Sequence, residues 1–159
     1  PTPTSSTPTW TPQQQTAITA AKARYAAALA AIDKALSDPT KSTREPLEAA
    51  GLSDKRIIAA IGDVRTLRDS GWYRAGKTQI LSATPQTVEL DGEQPKVTLR
   101  SCVDLSSTAL HFQKDHKTVP VGPSSSKRVT FSAELRYTAR STTSPKRWFL
   151  TDEKALGAC

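Results

Sequence analysis

One stretch of the sequence spells a phosphate-binding loop. The pattern G-x-x-x-x-G-K-[ST] is satisfied at Gly71, Gly76, Lys77 and Thr78. In such a loop the backbone amides cradle phosphate groups and the lysine reaches the β and γ groups. The loop must follow a strand and open a helix, so that the helix N-terminus faces the anion. Here a predicted helix precedes the motif and strand-forming residues follow it, so the context argues against nucleotide binding.

The two cysteines and two histidines are the other groups that could do chemistry. No C-x-x-C pair is present, and more than forty residues separate His111 and His116 from Cys159, so the spacing of a zinc site is missing. No G-x-S-x-G elbow marks a nucleophile. A disulfide between Cys102 and Cys159 is the simplest interpretation, with two free thiols in a cytosolic protein as the alternative. We predict no metal, no cofactor and no catalytic residue.

Helical signals occupy the first half of the chain. Thr11 can cap a helix whose apolar residues recur at spacings of three, four and seven, and which ends at Asp38, before a proline. A short helix is predicted at 45–50. Ser53 caps a third helix, for which Gly71 is the natural end.

The second half of the chain has the alternating pattern of β-strands. We predict four strands near 77–90, 95–105, 127–140 and 146–152, with a short strand at 109–112. Helices followed by a meander of strands indicate the α+β class. On the inward side of the second and third strands only Ser101 and Tyr137 are polar, whereas Asp104 and Glu134 lie on the solvent face.

Four short motifs accompany this order of elements. They are a corner at 71–76 (GWYRAG), a strand segment at 101–104 (SCVD), a tryptophan strand at 148–150 (WFL) and the terminal Cys159. Together with the order of elements they resemble secreted actinobacterial proteins of the nuclear transport factor 2-like superfamily. The resemblance implies a strongly curved antiparallel sheet of about four strands that wraps against the N-terminal helices as a cone. It also implies a bond between the strand cysteine and the terminal one.

The implied cone raises the question of catalysis. Cone-shaped relatives include isomerases and cyclases that place an Asp, His or Tyr in an apolar pocket. The inward-facing positions here contain no Asp, Glu or His, so we predict a noncatalytic protein, with isomerase or cyclase activity as the weaker alternative. Six aromatic residues are candidates to line a residual cavity: Tyr25, Trp72, Tyr73, Phe131, Tyr137 and Trp148.

The first residues differ in composition from the rest. Residues 1–12 are all Pro, Thr or Ser except Trp10, and such a segment cannot bury enough apolar area to offset its ordering entropy. We predict an extended tether at 1–11 and a single domain at 12–159. Tracts of this kind commonly follow a secretion signal or the anchor cysteine of a lipoprotein. We therefore expect an extracytoplasmic protein, secreted or at the cell surface, that contacts the membrane only through a preceding anchor.

The chain is basic, with a formal net charge of +7. The excess lies in the C-terminal part, where Lys127, Arg128, Lys146 and Arg147 are candidate contacts to an anionic partner. No aromatic residue lies between the arginines of the predicted solvent face, which argues against nucleic-acid binding. We expect an envelope protein or an anionic polymer as the partner, and the sequence does not predict an oligomeric state.

The sequence thus predicts a noncatalytic binding or accessory module of the cell envelope. One alternative is a small-molecule or lipid carrier that uses the cone cavity. Another is a lipoprotein, encoded by a phage or plasmid, that interferes with foreign DNA entering the cell. A large continuous apolar cavity would favour the carrier, whereas a filled interior with a basic or aromatic outer patch would favour a protein or polymer partner.

Overall fold

A computed structural model describes residues 8–122 and 127–159. Within these ranges the helices come first and the strands follow: α1 (Pro12–Ser37), α2 (Arg44–Ala49), α3 (Asp54–Ser70), β1 (Trp72–Ala75), β2 (Gln79–Glu89), β3 (Lys96–Asp104), β4 (Ala109–Phe112), β5 (Arg128–Thr138) and β6 (Arg147–Ala158). The predicted α+β class is confirmed. Most of the predicted tether, residues 1–7, lies outside the described residues.

The helices begin and end at the capping residues that the sequence predicts. The Thr11 hydroxyl accepts a bond from the Gln14 amide, and the Gln14 side chain accepts one from the Thr11 amide at 2.9 Å, which completes a capping box. Asp38 ends α1. Ser53 caps α3, and Gly71 ends it with a φ of 70°, a left-handed conformation that glycine adopts without strain.

The strands form two antiparallel sheets. The larger sheet has the order β2-β3-β5-β6, and β1 pairs with β4 in a separate two-stranded sheet. Strand β4 lies where the short strand was predicted. Strand β1 was not predicted: the GWYRAG segment contains a strand in which Trp72 lies opposite Phe112. Strand β6 continues beyond its predicted end at residue 152 as far as Ala158.

The loop between α2 and α3 joins the helices to one edge of the larger sheet. The Leu150 amide donates to the Gly51 carbonyl at 2.9 Å, and the Ser53 amide donates to the Leu150 carbonyl at 3.0 Å. These two bonds extend the sheet by one short parallel bridge between Leu52 and Leu150. The first turn of α3 is therefore fixed against β6.

The core lies between the helices and one face of the larger sheet. Its buried residues come from both layers: Ala21, Tyr25, Ala28, Leu36, Leu47, Ile57, Val64, Val97, Leu99, Ala133, Leu135 and Leu150. Alternation along β3 follows the prediction, because Val97 and Leu99 are buried while Arg100 is exposed. Tyr137 departs from it: predicted to face inward, it is 36% exposed because it lies near the end of β5, where Trp148 is its cross-strand neighbour.

Two polar residues on the outer side of the larger sheet are buried, and one of them, Asp104, was predicted to face solvent. Asp104 is 6% and Thr130 7% exposed. The Cys102–Cys159 disulfide, with a Cα–Cα distance of 5.9 Å, brings the chain end beside Thr130, whose hydroxyl donates to the Ala158 carbonyl at 3.4 Å. The structure therefore forms the predicted cysteine pair, which is consistent with an oxidising, extracytoplasmic compartment. Among the described residues, no helix combines the length and apolarity needed to cross a bilayer.

Candidate functional site

A hollow of about 250 Å³ lies between α1, α3 and the inner face of the larger sheet. We call it the interior hollow. Its walls are mostly apolar and come from all three elements: Leu29, Ile32, Leu36, Ala59, Ala60, Val103, Leu105 and Phe131. Its polar lining includes five charged residues, and the whole polar set is Tyr25, Asp33, Arg56, Asp63, Arg74, Thr78 and Glu153. Apolar walls with a few convergent polar groups are typical of small-ligand sites.

A tyrosine of α1 meets a serine of the sheet beside this hollow. The Tyr25 and Ser101 hydroxyls are joined by a hydrogen bond of 2.9 Å, and both residues are buried. Burial, and secondarily the negative charge of Glu153, raises the pKa of Tyr25 above its usual value. The tyrosine therefore remains protonated at neutral pH and serves as a hydrogen-bonding group.

An arginine–glutamate pair crosses from α3 to β6. Arg56 Nη2 donates to Glu153 Oε1 at 3.0 Å, and the Glu153 side chain is only 9% exposed. Glu153 reaches the inner face because it lies opposite Ala133 in the β5–β6 ladder. Its Oε2 and the Arg56 Nε are both buried without a partner. Buried polar atoms of this kind are ordinarily satisfied by ordered water or by a ligand.

The residues of the phosphate-loop motif are engaged in contacts of their own. Thr78 donates from its amide and from its hydroxyl to the Asp33 carboxylate, each at 2.7 Å, and Arg74 Nη2 donates to Asp33 at 2.5 Å. At Gly76 a Cβ atom would lie 2.0 Å from the Ser107 carbonyl oxygen, so close packing requires this glycine. The motif is followed by strand β2, and its Arg74 and Thr78 donors bind a carboxylate of the protein itself.

Two of the six predicted cavity-lining aromatic residues line the hollow, namely Tyr25 and Phe131. The other four lie elsewhere. Trp72 and Tyr73 belong to β1, in the two-stranded sheet, where Trp72 packs edge-on against a phenylalanine of β4. Tyr137 and Trp148 pack on each other, with ring centroids 5.6 Å apart. They lie near the C-terminal end of β5, whereas Phe131 lies near its start. These four residues therefore do not line the interior hollow: Trp72 and Tyr73 belong to a strand that the sequence did not predict, and Trp148 packs against the hydrophobic core.

The four predicted anion contacts do not form one patch. Lys127 and Arg128 lie at the start of β5, whereas Lys146 and Arg147 lie at the start of β6, and the antiparallel register puts these starts at opposite ends of the ladder. Arg128 Nε donates to Asp104 at 3.0 Å. Arg147 donates to the backbone carbonyls at the end of α2 and stacks on an aromatic ring. Lys127 and Lys146 are exposed.

The two histidines lie together on the two-stranded sheet and its hairpin. The Tyr73 ring stacks on His111, with centroids 5.4 Å apart, and its hydroxyl is 3.0 Å from His116 Nδ1. Neither residue lines the interior hollow. Over the described residues, no three side chains of the His, Cys, Asp and Glu types are grouped as metal ligands.

Sequence reasoning missed the charged residues of the hollow. Glu153 lies just beyond the predicted end of the last strand at residue 152, and Asp33 is a charged residue within the first predicted helix. One signal was present, because Asp33 follows Leu29 by four residues and precedes Leu36 by three. That spacing puts Asp33 on the same helix face as the apolar stripe.

Comparison with known proteins shows a likeness of fold. The chain is similar to the crystal structure of the intermembrane space region of the chloroplast protein ARC6, with a TM-score of 0.54 and 12% sequence identity. The match covers 95% of this chain and 100% of that one. At this identity the likeness concerns the fold alone. No protein-family model and no curated protein matches the chain.

Proposed function

We propose that the protein is a noncatalytic, extracytoplasmic binding module that holds a small ligand in the interior hollow. The observation that carries this proposal is the buried Glu153 Oε2, which has no partner and belongs to a hollow with apolar walls. Unpaired carboxylate oxygens are costly in a protein interior. A ligand with a hydrogen-bond donor would remove that cost.

The polar groups of the hollow support binding rather than catalysis. Burial raises the pKa of Tyr25, so this hydroxyl does not ionise near neutral pH. Both oxygens of Asp33 accept bonds from Thr78, and one also from Arg74. The histidines, which would be the usual proton carriers, lie on the other sheet.

The size of the hollow supports a small ligand. A volume of about 250 Å³ equals roughly eight liquid water molecules, which suits a ligand of about ten non-hydrogen atoms. The hollow is too small and too polar at Glu153 to hold a lipid chain. For this hollow, a small molecule is therefore favoured over a lipid as the ligand. The separation of the two basic pairs argues against a single polymer-binding patch.

The disulfide bears on the compartment of the protein, and the arrangement of its helices and sheet bears on its family. The Cys102–Cys159 bond supports an oxidising location, and the solved structure of similar fold is named as an intermembrane space region. We propose a secreted or surface protein, held by the tether at 1–11. Helices before the sheet and a hollow between the two layers support membership of the nuclear transport factor 2-like superfamily.

Titration of the isotope-labelled protein with 2-phenylethanol, a neutral probe matched to the volume of the hollow, tests this proposal by NMR. We expect saturable shifts at hollow residues such as Tyr25 and Phe131. Ala60→Leu, which fills the hollow, should abolish these shifts, whereas Ala27→Leu on the exposed face of α1 should retain them. Shifts that are confined to the outer face, or that persist in Ala60→Leu, would contradict the proposal.

A further inference from the structure

The interior hollow has the opposite charge from the protein as a whole. Its lining contains three carboxylates, Asp33, Asp63 and Glu153, and two guanidinium groups, Arg56 and Arg74. The charged groups that line the hollow therefore sum to −1, whereas the whole chain has a net charge of +7. Since Arg56 pairs with Glu153 and Arg74 pairs with Asp33, the uncompensated charge is that of Asp63.

The free carboxylate oxygens identify where a ligand would be recognised. Asp33 is occupied by Arg74 and Thr78. Glu153 accepts a bond from Arg56 through Oε1, whereas its Oε2 is buried without a hydrogen bond of good geometry, and the Tyr25 hydroxyl lies beside this carboxylate. Asp63 is exposed and forms no hydrogen bond or ion pair within the described part of the chain. One free acceptor thus lies deep in the hollow and one free charge lies at its exposed rim.

We infer that the ligand is a small organic cation, a primary or secondary amine with an apolar body. This inference rests on the proposed function, since it names the ligand class of the same site. The ammonium group donates to Glu153 Oε2, and Asp63 provides the uncompensated negative charge. The buried Nε atoms of Arg56 and Arg74, which also lack partners, are donors that a hydroxyl or carbonyl oxygen of the ligand satisfies.

An anionic ligand fits this arrangement poorly. Arg56 and Arg74 each already bind a carboxylate of the protein, so their charges are compensated. A bound carboxylate has no proton to donate to Glu153 Oε2, and the uncompensated charge of Asp63 would repel it. Like charges in a partly desolvated site oppose binding.

Three probes that share one apolar body and differ in charge test the inference. They are 2-phenylethylamine, 2-phenylethanol and phenylacetate, each titrated into the full chain by calorimetry and NMR. We expect the amine to bind at least about tenfold more tightly than the alcohol, and phenylacetate to bind more weakly than either. Asp63→Asn should weaken amine binding about three- to fivefold, and should weaken it more than it weakens binding of the alcohol.

A matched control removes the same charge elsewhere. Asp91 lies in the exposed turn between β2 and β3 and does not line the hollow, so Asp91→Asn should leave amine binding unchanged. Equal or tighter binding of the alcohol or of phenylacetate in the hollow would overturn the cation inference while leaving the hollow as a binding site. Failure of all three probes to shift hollow residues would overturn the proposed function as well.

Discussion

Replacing Cys159 by serine is expected to lower the free energy of unfolding substantially. The disulfide joins residues 57 positions apart, and loop-closure entropy for a segment of that length amounts to about 4 kcal/mol. Cys159 is exposed at the end of the chain, so its sulfur fills no core cavity. The expected loss therefore comes from the greater freedom of the unfolded chain rather than from lost packing.

The same substitution should loosen one end of β6 and spare the rest. The Cys159 amide donates to the Arg128 carbonyl at 3.3 Å, which is a weak closing bond of the ladder. Two backbone bonds join Leu150 to the loop before α3, and Glu153 lies nearer to Leu150 than to the end of the strand. Hydrogen exchange should therefore accelerate at residues 156–158 while the contact between Arg56 and Glu153 persists.

Urea unfolding followed by tryptophan fluorescence, with and without reductant, measures the effect. The free energy of unfolding of the oxidised protein should be about 4 kcal/mol higher than that of Cys159→Ser. In a chain of this size, that difference corresponds to a melting temperature higher by roughly 8–16 °C. Reductant should lower the stability of the native sequence to that of the variant and leave the variant unchanged. A difference below about 1 kcal/mol, well under the entropic expectation, or a native protein insensitive to reductant, would refute the reasoning.

Three further substitutions test the polar and backbone contacts, each by urea unfolding. Tyr25→Phe removes the hydrogen bond to Ser101 and leaves the buried Ser101 hydroxyl unpaired, which should lower the free energy of unfolding by about 1–2 kcal/mol. A hydrogen bond from Arg136 lowers the pKa of Glu134 below its usual 4.5, so this group stabilises the fold above pH 4.5 and loses that contribution as the pH falls through the folded value. Glu134→Gln should therefore show a weaker loss of stability on acidification than the native protein. Gly76→Ala combines a φ of 95° with a severe backbone clash and should destabilise by more than about 1 kcal/mol.

Clear outcomes would contradict each of these expectations. A Tyr25→Phe protein as stable as the native one would mean that the hydroxyl pair contributes nothing. If the native protein and Glu134→Gln lost stability equally on acidification, Glu134 would not be a source of the acid sensitivity. Gly92→Ala is the control for Gly76→Ala, because its φ is also positive but its Cβ would meet nothing within 4 Å. Equal losses at the two glycines would assign the effect to backbone conformation alone.

The helices could be predicted closely because their determinants are local. Thr11, Gln14 and Ser53 act on amides within three residues of themselves. Gly71 ends α3 through its own backbone conformation. Such signals are complete within a short window of sequence, so they need no knowledge of the tertiary structure.

The hollow could not be predicted in the same way because its groups meet across long separations. Asp33 and Thr78 are 45 residues apart, and Arg56 and Glu153 are 97 apart. Glu153 reaches the inner face only through the register of β6, which includes shifts beside Glu134 and Phe131. A one-residue change in register would turn its side chain outward, and the alternation of residues near the chain end is too weak to specify it.

A crystal structure of the protein soaked with 2-phenylethylamine tests the central claim most directly. The account predicts the phenyl ring between Leu29 and Phe131 and the nitrogen within about 3 Å of Glu153 Oε2. A probe bound only at the outer surface, with the interior hollow empty at saturating concentration, would contradict it.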